Sequence, residues 1–283
     1  MKPLREFSPK LARRADFVLC DLDDTLTCEG RLPAASYAGL ERLQRRGKKV
    51  IVVTGRPAGW CDLIARFWPV DGVVGENGAF YFRYRRDLSR MVRRFLRTDA
   101  QRAKDRAKLQ GLFKRVRKDH PKIRLASDQA FRISDIAIDI CEDVTPLSKA
   151  EVKEIVAELQ ALGATVKVSS IHINAWMGEF NKLSMIEKFL KREFAATPAA
   201  AKKRAIYVGD SPNDEPMFAF FPNAVGVANV AKFAADMKAL PRYVTRRAGG
   251  YGFVELANML SHDPAPLNRR DGRSRGSFSP ARR

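Results

Sequence analysis

The chain has 283 residues, of which 45% are hydrophobic, so it can bury the core of one large domain or of one and a half domains. It carries a net charge of +20, yet no apolar stretch approaches the length of a membrane span and the basic N-terminus does not resemble a secretion signal. Its four cysteines form no C-x-x-C pair, which suits reduced thiols and predicts a cytoplasmic protein.

The first predicted element is a strand over residues 17–20 that ends in a group of carboxylates. An uninterrupted apolar run of this kind is typical of a strand buried on both faces of a parallel sheet. Asp21 and Asp23 follow it, and side chains two residues apart on extended backbone point the same way. Repulsion between two such carboxylates needs a cation, a proton or a hydrogen bond. The alternative is a polar loop in which Asp24 and Thr25 cap the next helix.

Helices and strands then alternate up to about residue 80. Helical spacing over residues 36–46 is followed by a buried strand over 49–53 that runs into Thr54 and Gly55. A helix is predicted over 57–67, with Leu63, Ile64 and Phe67 buried, and a short strand over 72–74. In open α/β sheets, ligands gather at the carboxyl ends of such strands.

The composition and the pattern of predicted elements change between residues 83 and 180. A hairpin-like aromatic segment precedes a basic helix at about 98–119, and 17 Lys and Arg residues face only four Asp between positions 83 and 124. Strands are predicted over 123–126, 134–140, 165–169 and 171–176. Ser148 and Glu151 predict a capping box for the intervening helix, which should end at Gly163.

The alternation of helices and buried strands resumes with a helix that holds Lys182 in its first turn. A buried strand over 205–209 then ends at Asp210, followed by Asn213 and Asp214. We therefore predict an α/β fold with a doubly wound, mainly parallel sheet and an inserted α/β cap domain. The predicted core comprises residues 1–82 and 181–260, the cap residues 83–180, and a disordered basic tail residues 261–283.

The order of these motifs resembles the haloacid dehalogenase superfamily of phosphohydrolases, over about residues 15–258. The matching features are D-x-D-x-T at Asp21, Asp23 and Thr25, the hydroxyl of Thr54, the lysine, and G-D-x-x-N-D from Gly209. The position of the cap and the turn at residues 76–78 further resemble its Cof-type, sucrose-phosphatase-like branch. Two features depart from the pattern: Asp24 stands where glycine is common, and Leu183 follows the lysine.

The resemblance implies a Mg²⁺-dependent phosphomonoester hydrolase that forms an aspartyl-phosphate. Asp21 would be the nucleophile, and Asp23 would protonate the leaving oxygen and then activate water. The resemblance further implies two sets of ligands, Thr54, Gly55, Lys182 and Asn213 for phosphate, and Asp21, Asp23, Asp210 and Asp214 for Mg²⁺. Oxygen ligands are what Mg²⁺ prefers, and it would offset the charge of a phosphate monoester.

The expected partner is a small phosphorylated metabolite, with a sugar phosphate favoured by one strand of the cap. His172, Asn174 and Trp176 share a face of that strand and combine hydrogen-bonding groups with an aromatic ring. A half-exposed sheet face without a ligand is the alternative for these three residues.

Two further functions stay open on the sequence alone. The basic stretch at residues 83–124 also contains aromatic residues, a combination found in proteins that bind nucleic acid. The protein could therefore bind nucleic acid or be a phosphatase of nucleic-acid ends, although a solvated helix face is the commoner explanation of such charge. A phosphosugar mutase would use the same site and retain the phosphoryl group.

Overall fold

The computed structural model describes residues 1–261, which form two sheets surrounded by helices. The strands are β1 (Lys2–Pro3), β2 (Phe17–Cys20), β3 (Lys49–Val53), β4 (Gly72–Gly75), β5 (Phe80–Arg85), β6 (Arg90–Phe95), β7 (Arg124–Leu125), β8 (Asp135–Asp139), β9 (Thr165–Val168), β10 (His172–Trp176), β11 (Ala205–Gly209), β12 (Val225–Gly226) and β13 (Tyr243–Val244). The α-helices are α1 (Pro9–Arg14), α2 (Ala34–Arg45), α3 (Ala58–Phe67), α4 (Asp99–Asp119), α5 (Lys149–Ala161), α6 (Lys182–Phe194), α7 (Pro198–Arg204), α8 (Glu215–Phe220) and α9 (Gly249–Ser261). Short 3-10 helices cover Leu4–Glu6, Glu76–Gly78, Arg86–Leu88, Ser127–Phe131, Pro212–Asp214 and Ala228–Asp236.

The larger sheet has nine strands in the order β1-β13-β12-β11-β2-β3-β4-β5-β6. In this order the first seven strands, from β1 across to β4, pair in parallel, and the β4–β5 and β5–β6 pairs are antiparallel. In β2, Val18 and Cys20 pack in a cluster with residues of α2, α3 and α9, whereas Phe17 and Leu19 pack in a second cluster with residues of α6 and α8. Both faces of the sheet are therefore covered, and the doubly wound α/β fold is confirmed.

The smaller sheet is antiparallel, in the order β7-β8-β10-β9, and forms the inserted cap. One face packs against α4 and α5 through an apolar cluster that includes Ile138, Leu159 and Ile173. Both helices begin with the capping box that satisfies their first backbone N–H groups, Thr98 with Gln101 and Ser148 with Glu151. The opposite face of β8 and β10 is also buried.

The hairpin of β5 and β6 belongs to the core sheet, although the sequence assigned most of it to the cap. The predicted boundary between residues 82 and 83 falls inside β5, and the pairing of Phe80 with Phe95 extends the core to the end of β6. Arginines dominate the solvent side of this hairpin and hide its alternation, because their charged ends reach solvent while the backbone completes the sheet. The cap therefore begins near Thr98.

Other differences are local. Leu63 and Phe67 of α3 are exposed rather than buried, and only Ile64 of the three predicted residues lies in the core. The strand predicted over residues 123–126 is reduced to Arg124–Leu125. The predicted disordered tail lies outside the described residues except for Ser261, which ends α9 instead. No helix within residues 1–261 combines the length and the apolarity needed to cross a membrane.

Candidate active site

The carboxyl ends of three adjacent parallel strands bring the predicted site residues together. β2 lies between β11 and β3, with Cys20 in register with Val208 on one side and Val52 on the other. Asp21 follows β2 directly, and its backbone N–H donates to the carbonyl of Val208 over 2.9 Å. Asp210 follows β11 in the same way. The register of the sheet therefore fixes these two carboxylates side by side.

Three buried carboxylates form a cluster at this edge. Oxygen atoms of Asp21, Asp210 and Asp214 lie within 4.8 Å of one another. Thr25 donates its hydroxyl to Asp210 Oδ1 over 3.1 Å, and Asn229 Nδ2 donates to Asp210 Oδ2 over the same distance. A set of hard oxygen donors fits Mg²⁺, which is commonly held by one or two carboxylates, water and substrate phosphate.

Asp214 is the most extensively hydrogen-bonded member of the cluster. Its Oδ1 accepts from Lys182 Nζ over 2.8 Å and from the Tyr207 hydroxyl over 2.5 Å. Its Oδ2 accepts from the backbone N–H groups of Asp210 and Ser211 over 3.0 and 3.3 Å. Because both oxygens already have partners, this side chain fits a water-mediated contact with a metal better than a direct one.

Lys182 is the counter-cation of the cluster. It is the first residue of α6, whose N-terminus is capped by the Asn181 side chain, and its Nζ lies 2.6 Å from Asp21 Oδ1. Although burial favours the neutral amine, Asp21 and Asp214 raise the pKa of Lys182 above its usual value, so it is charged. One lysine against three carboxylates leaves room for a further cation.

Burial sets the protonation of the aspartates. It raises the pKa of Asp21 from 3.8 to about 8, with Lys182 acting in the opposite direction and Asp214 in the same one. It also raises the pKa of Asp210 well above its usual value, an effect to which Asp214 and Asp21 add. A bound divalent cation would favour the ionised forms of both groups.

Asp23 is not one of the three clustered carboxylates and pairs with Arg56 instead. The Arg56 Nε donates to both carboxylate oxygens of Asp23 over 3.0 and 3.2 Å. On its other side the guanidinium pairs with Glu142 of the cap, with 2.6 Å between Nη2 and Oε1, and it lies 4.5 Å from the ring centre of Trp60. A buried arginine thus joins the core carboxylate to the cap.

The loop after β8 brings Glu142 to this contact. Backbone N–H groups of Cys141, Glu142 and Asp143 all donate to the Asp139 carboxylate, which fixes the turn. His172 Nε2 lies 3.0 Å from Glu142 Oε2. The neighbouring His172, followed by Arg56, lowers the pKa of Glu142 from 4.5 to about 2 against the effect of burial, so it is ionised at neutral pH.

A small cavity separates the carboxylates from the cap. It is lined by residues of both domains, and its volume is about 10 Å³. Its walls are Asp21, Asp23, Gly55, Arg56, Ser169, Ser170, Ile171, His172, Asn174, Ser211 and Asn213. A volume of this size holds about one water molecule. A phosphoryl group therefore enters only when the cap or Arg56 moves.

The predicted phosphate ligands are not equally placed. Gly55 and Asn213 line the cavity, and the Asn213 Oδ1 accepts from the Ser211 hydroxyl over 2.9 Å. Thr54 is fully buried and its Oγ1 accepts the backbone N–H of Arg56 over 3.0 Å. Lys182 reaches the site through Asp21. Gly55 and Asn213 can thus contact a group in the cavity directly, whereas the Thr54 hydroxyl can do so only after it leaves the Arg56 N–H.

The predicted substrate residues of the cap divide into two groups. His172 and Asn174 line the cavity, and Asn174 Nδ2 donates to Asp135 Oδ2 over 3.1 Å. Trp176 shares their side of β10 but is 1% exposed and stacks on Phe180, with ring centres 5.4 Å apart. Trp176 is therefore a packing residue and does not reach the cavity, because the core domain covers its end of the cap sheet.

Several contacts at the site were not predicted from the sequence. The residues that make these contacts include Arg56, Glu142, Asn229 and Arg132. Arg132 is buried and donates to the carbonyl of Gly55 over 3.0 Å. Glu76 accepts the backbone N–H groups of Ile133 and Ser134, and so attaches a cap segment to the core turn. Each joins segments that are distant in sequence, so local pattern carries no signal for it.

Comparisons with known proteins bear on the family that the chain resembles and on its fold. A family model described as haloacid dehalogenase-like hydrolase matches residues 18–103. A search of curated proteins finds no match. Among solved structures, a haloacid dehalogenase/Cof-like hydrolase from Plasmodium vivax has a TM-score of 0.63 at 16% identity and covers 89% of this chain and 98% of its own.

Two further solved structures are phosphatases. A sucrose-phosphatase from Synechocystis in complex with sucrose and phosphate has a TM-score of 0.58 at 15% identity, covering 88% of this chain and 98% of its own. A subclass IIB sugar phosphatase of the haloacid dehalogenase superfamily has a TM-score of 0.55 at 15% identity, covering 82% of this chain and 93% of its own. The family model confirms the predicted resemblance to the haloacid dehalogenase-like hydrolases, and the solved structures confirm the predicted fold.

Proposed function

Because the chain resembles the haloacid dehalogenase-like hydrolases and shares their fold, we propose that it is a Mg²⁺-dependent phosphomonoester hydrolase that acts through an aspartyl-phosphate. The observation that carries the proposal is the cluster of Asp21, Asp210 and Asp214, with Lys182 as its counter-cation. The expected substrate is a sugar phosphate or a similar small phosphorylated metabolite. The sucrose-phosphatase and the sugar phosphatase among the similar structures support that class.

Mg²⁺ would be held by the side chains of Asp21 and Asp210, by the backbone carbonyl of Asp23, and by Asp214 directly or through water. When bound, it would offset the negative charge that otherwise repels a carboxylate from a phosphate monoester. Lys182 contributes in the same direction, because its ammonium contacts the proposed nucleophile at 2.6 Å. Thr54, Gly55 and Asn213 would bind the phosphoryl oxygens by hydrogen bonds.

Asp21 attacks phosphorus with one carboxylate oxygen, and the bond between phosphorus and the leaving oxygen breaks. Asp23 gives its proton to that oxygen, so the alcohol leaves neutral. The Asp23 carboxylate then takes a proton from water, which attacks phosphorus, releases inorganic phosphate and restores Asp21. Asp23 can serve both steps only when substrate displaces Arg56 from part of its carboxylate, since both Asp23 oxygens contact Arg56 in the closed arrangement.

The test is hydrolysis of acetyl phosphate and of a panel of sugar phosphates with Mg²⁺, followed as release of inorganic phosphate. We expect EDTA to abolish turnover, and Asp21→Asn to reduce kcat by at least a thousandfold because it removes the nucleophile. Asp119→Asn, which changes an exposed carboxylate at the end of α4, is the matched control and should leave kcat within twofold. Asp21→Asn turnover above a few per cent of wild type would refute the mechanism, and phosphoryl transfer to sugar without phosphate release would indicate a mutase.

A further inference from the structure

An apolar groove adjoins the small cavity on the side of Asp23. Its volume is about 470 Å³, and its walls include Asp23, Arg56, Trp60, Leu63 and Phe131. Asp23 and Arg56 also line the 10 Å³ cavity, so the groove begins where the phosphoryl site ends. We call it the aromatic groove, defined by Trp60, Leu63 and Phe131. Its volume falls within the usual range of small-molecule sites.

The walls of the aromatic groove are unusually exposed for apolar residues. Trp60, Leu63 and Phe131 are 42%, 52% and 57% exposed. α3 buries its other side through Cys61, Ile64 and Ala65, so Trp60 and Leu63 are not needed for the core. Exposed apolar side chains gathered beside polar groups mark binding surfaces, whereas single ones do not.

Both domains build the aromatic groove. Phe131 comes from the cap and packs on α3 at Gly59, where an added Cβ would lie 2.9 Å from the Phe131 Cβ. Trp60 comes from the core and stacks under the Arg56 guanidinium. A molecule lying between these two rings would contact the core and the cap at once, and would do so next to the carboxylate that meets the leaving oxygen.

We infer that the aromatic groove binds the leaving group of the substrate, and that this group carries a ring whose apolar face lies against Trp60 and Phe131. The inference rests on the proposed function, in which the leaving oxygen lies beside Asp23. The leaving group must extend from that oxygen, the 10 Å³ cavity is too small to hold it, and the aromatic groove is an adjoining space that shares Asp23 and Arg56 with that cavity. Sugar rings and aromatic rings both present such an apolar face.

This inference moves the ring-binding position away from the cap strand. Trp176 was the indole that the sequence suggested, but it is buried against Phe180. Trp60 offers an accessible indole on the opposite domain. His172 and Asn174 remain at the cavity, where they can contact polar atoms close to the phosphoryl group rather than the ring.

The test compares three substrates in variants of the aromatic groove. Acetyl phosphate has no ring, whereas 1-naphthyl phosphate and glucose 6-phosphate carry an aromatic and a sugar ring. We expect Phe131→Ala and Leu63→Ala to lower the ratio of kcat/KM for a ring substrate to kcat/KM for acetyl phosphate by at least fivefold. Phe67→Ala is the matched control: it removes a 72% exposed ring of α3 that does not line the groove, and its ratio should stay within twofold of wild type.

The outcomes separate this inference from the proposed function. A lower ratio for 1-naphthyl phosphate or for glucose 6-phosphate supports the inference and shows which ring the groove accepts. Unchanged ratios for both, in variants that still hydrolyse acetyl phosphate, overturn it. Failure of the wild-type protein to hydrolyse any of the three refutes the proposed function instead. If Phe131→Ala does not fold, Phe131→Leu keeps the bulk without the flat ring and should shift the ratio in the same direction.

Discussion

Lys182 is the residue on which the buried carboxylates most depend. It contacts Asp21 and Asp214, and all three side chains are almost fully buried. We predict that Lys182→Met lowers the free energy of unfolding by about 3–5 kcal/mol and abolishes turnover, because it leaves buried charge without a partner. Urea denaturation in EDTA measures the first effect and phosphate release the second.

Two further variants test whether the loss of stability in Lys182→Met comes from unpaired buried charge. Lys188→Met removes an exposed lysine from the same helix and should change the free energy of unfolding by less than about 0.5 kcal/mol. Adding Asp214→Asn to Lys182→Met removes one uncompensated charge, so it should recover part of the stability while turnover stays absent. A Lys182→Met protein of wild-type stability would show that the fold does not need the lysine as a partner for Asp21 and Asp214.

The raised pKa of Asp21 predicts a pH-dependent affinity for Mg²⁺. The pKa is about 8 in the folded protein and 3.8 in the unfolded chain, so between these values the unfolded chain binds fewer protons and stability falls as pH rises. Mg²⁺ binds the ionised form and reverses this loss. We expect the Mg²⁺ affinity to rise by up to about tenfold per pH unit between pH 6 and 8, with proton release. Calorimetric titration in buffers of different ionisation enthalpy measures both, and an affinity independent of pH would contradict it.

At the scale of elements, the contact between the loop after β3 and the loop after β8 holds the cap on the core. In this contact Arg56 pairs with Glu142, whose pKa is lowered to about 2. A carboxylate with a lowered pKa stabilises the fold above its unfolded pKa of 4.5 and loses that effect as pH falls toward 2. We predict that the difference in free energy of unfolding between wild type and Glu142→Gln shrinks by about 1–2 kcal/mol between pH 5 and pH 3.

The measurement is chemical denaturation at each pH, with Glu154→Gln, an exposed carboxylate of α5, as the control. The control should follow wild type at every pH. A constant difference between wild type and Glu142→Gln would mean that folding does not lower the pKa of this carboxyl, so the cap–core contact would not favour its ionised form.

Elements with local signals could be predicted from the sequence, and contacts between distant segments could not. The capping box of α5 and its end at Gly163, which has a φ of +85°, follow from residue types alone. The alternation in β10 predicted a shared face for His172 and Asn174, and both line the cavity, while Ile173 and Ala175 pack in the apolar cluster of the cap. What covers that other face depends on how the cap meets the core. Trp176 and the partnership of Arg56 with Glu142 were therefore beyond sequence pattern.

For the whole molecule, the basic residues at the end of the sequence are separate from the candidate site. Residues 262–283 contain six Arg and two Asp, and every side chain of the candidate site lies before them. We predict that a chain ending at Ser261 hydrolyses acetyl phosphate with kcat/KM within twofold of the full chain. A larger loss would assign the last residues a part in the reaction.

The same pair of proteins tests the nucleic-acid alternative. If the basic residues only attract phosphates nonspecifically, single-stranded DNA should bind weakly to the full chain and the affinity should fall steeply with salt. Tight binding at physiological salt that selects one sequence would contradict this expectation and favour a nucleic-acid substrate.

The position of β2 between β3 and β11 also has a consequence for protein synthesis. β3 leaves the ribosome soon after β2, but Asp210 follows Thr25 by 185 residues because the cap is translated between them. At about 5–20 residues per second, one edge of β2 stays unpaired for roughly 10–40 s. An apolar strand with an open edge is a target for chaperones and for aggregation during that time. The nascent chain also cannot assemble the three-aspartate cluster until the cap has been made, so the proposed Mg²⁺ could bind only after both domains are translated.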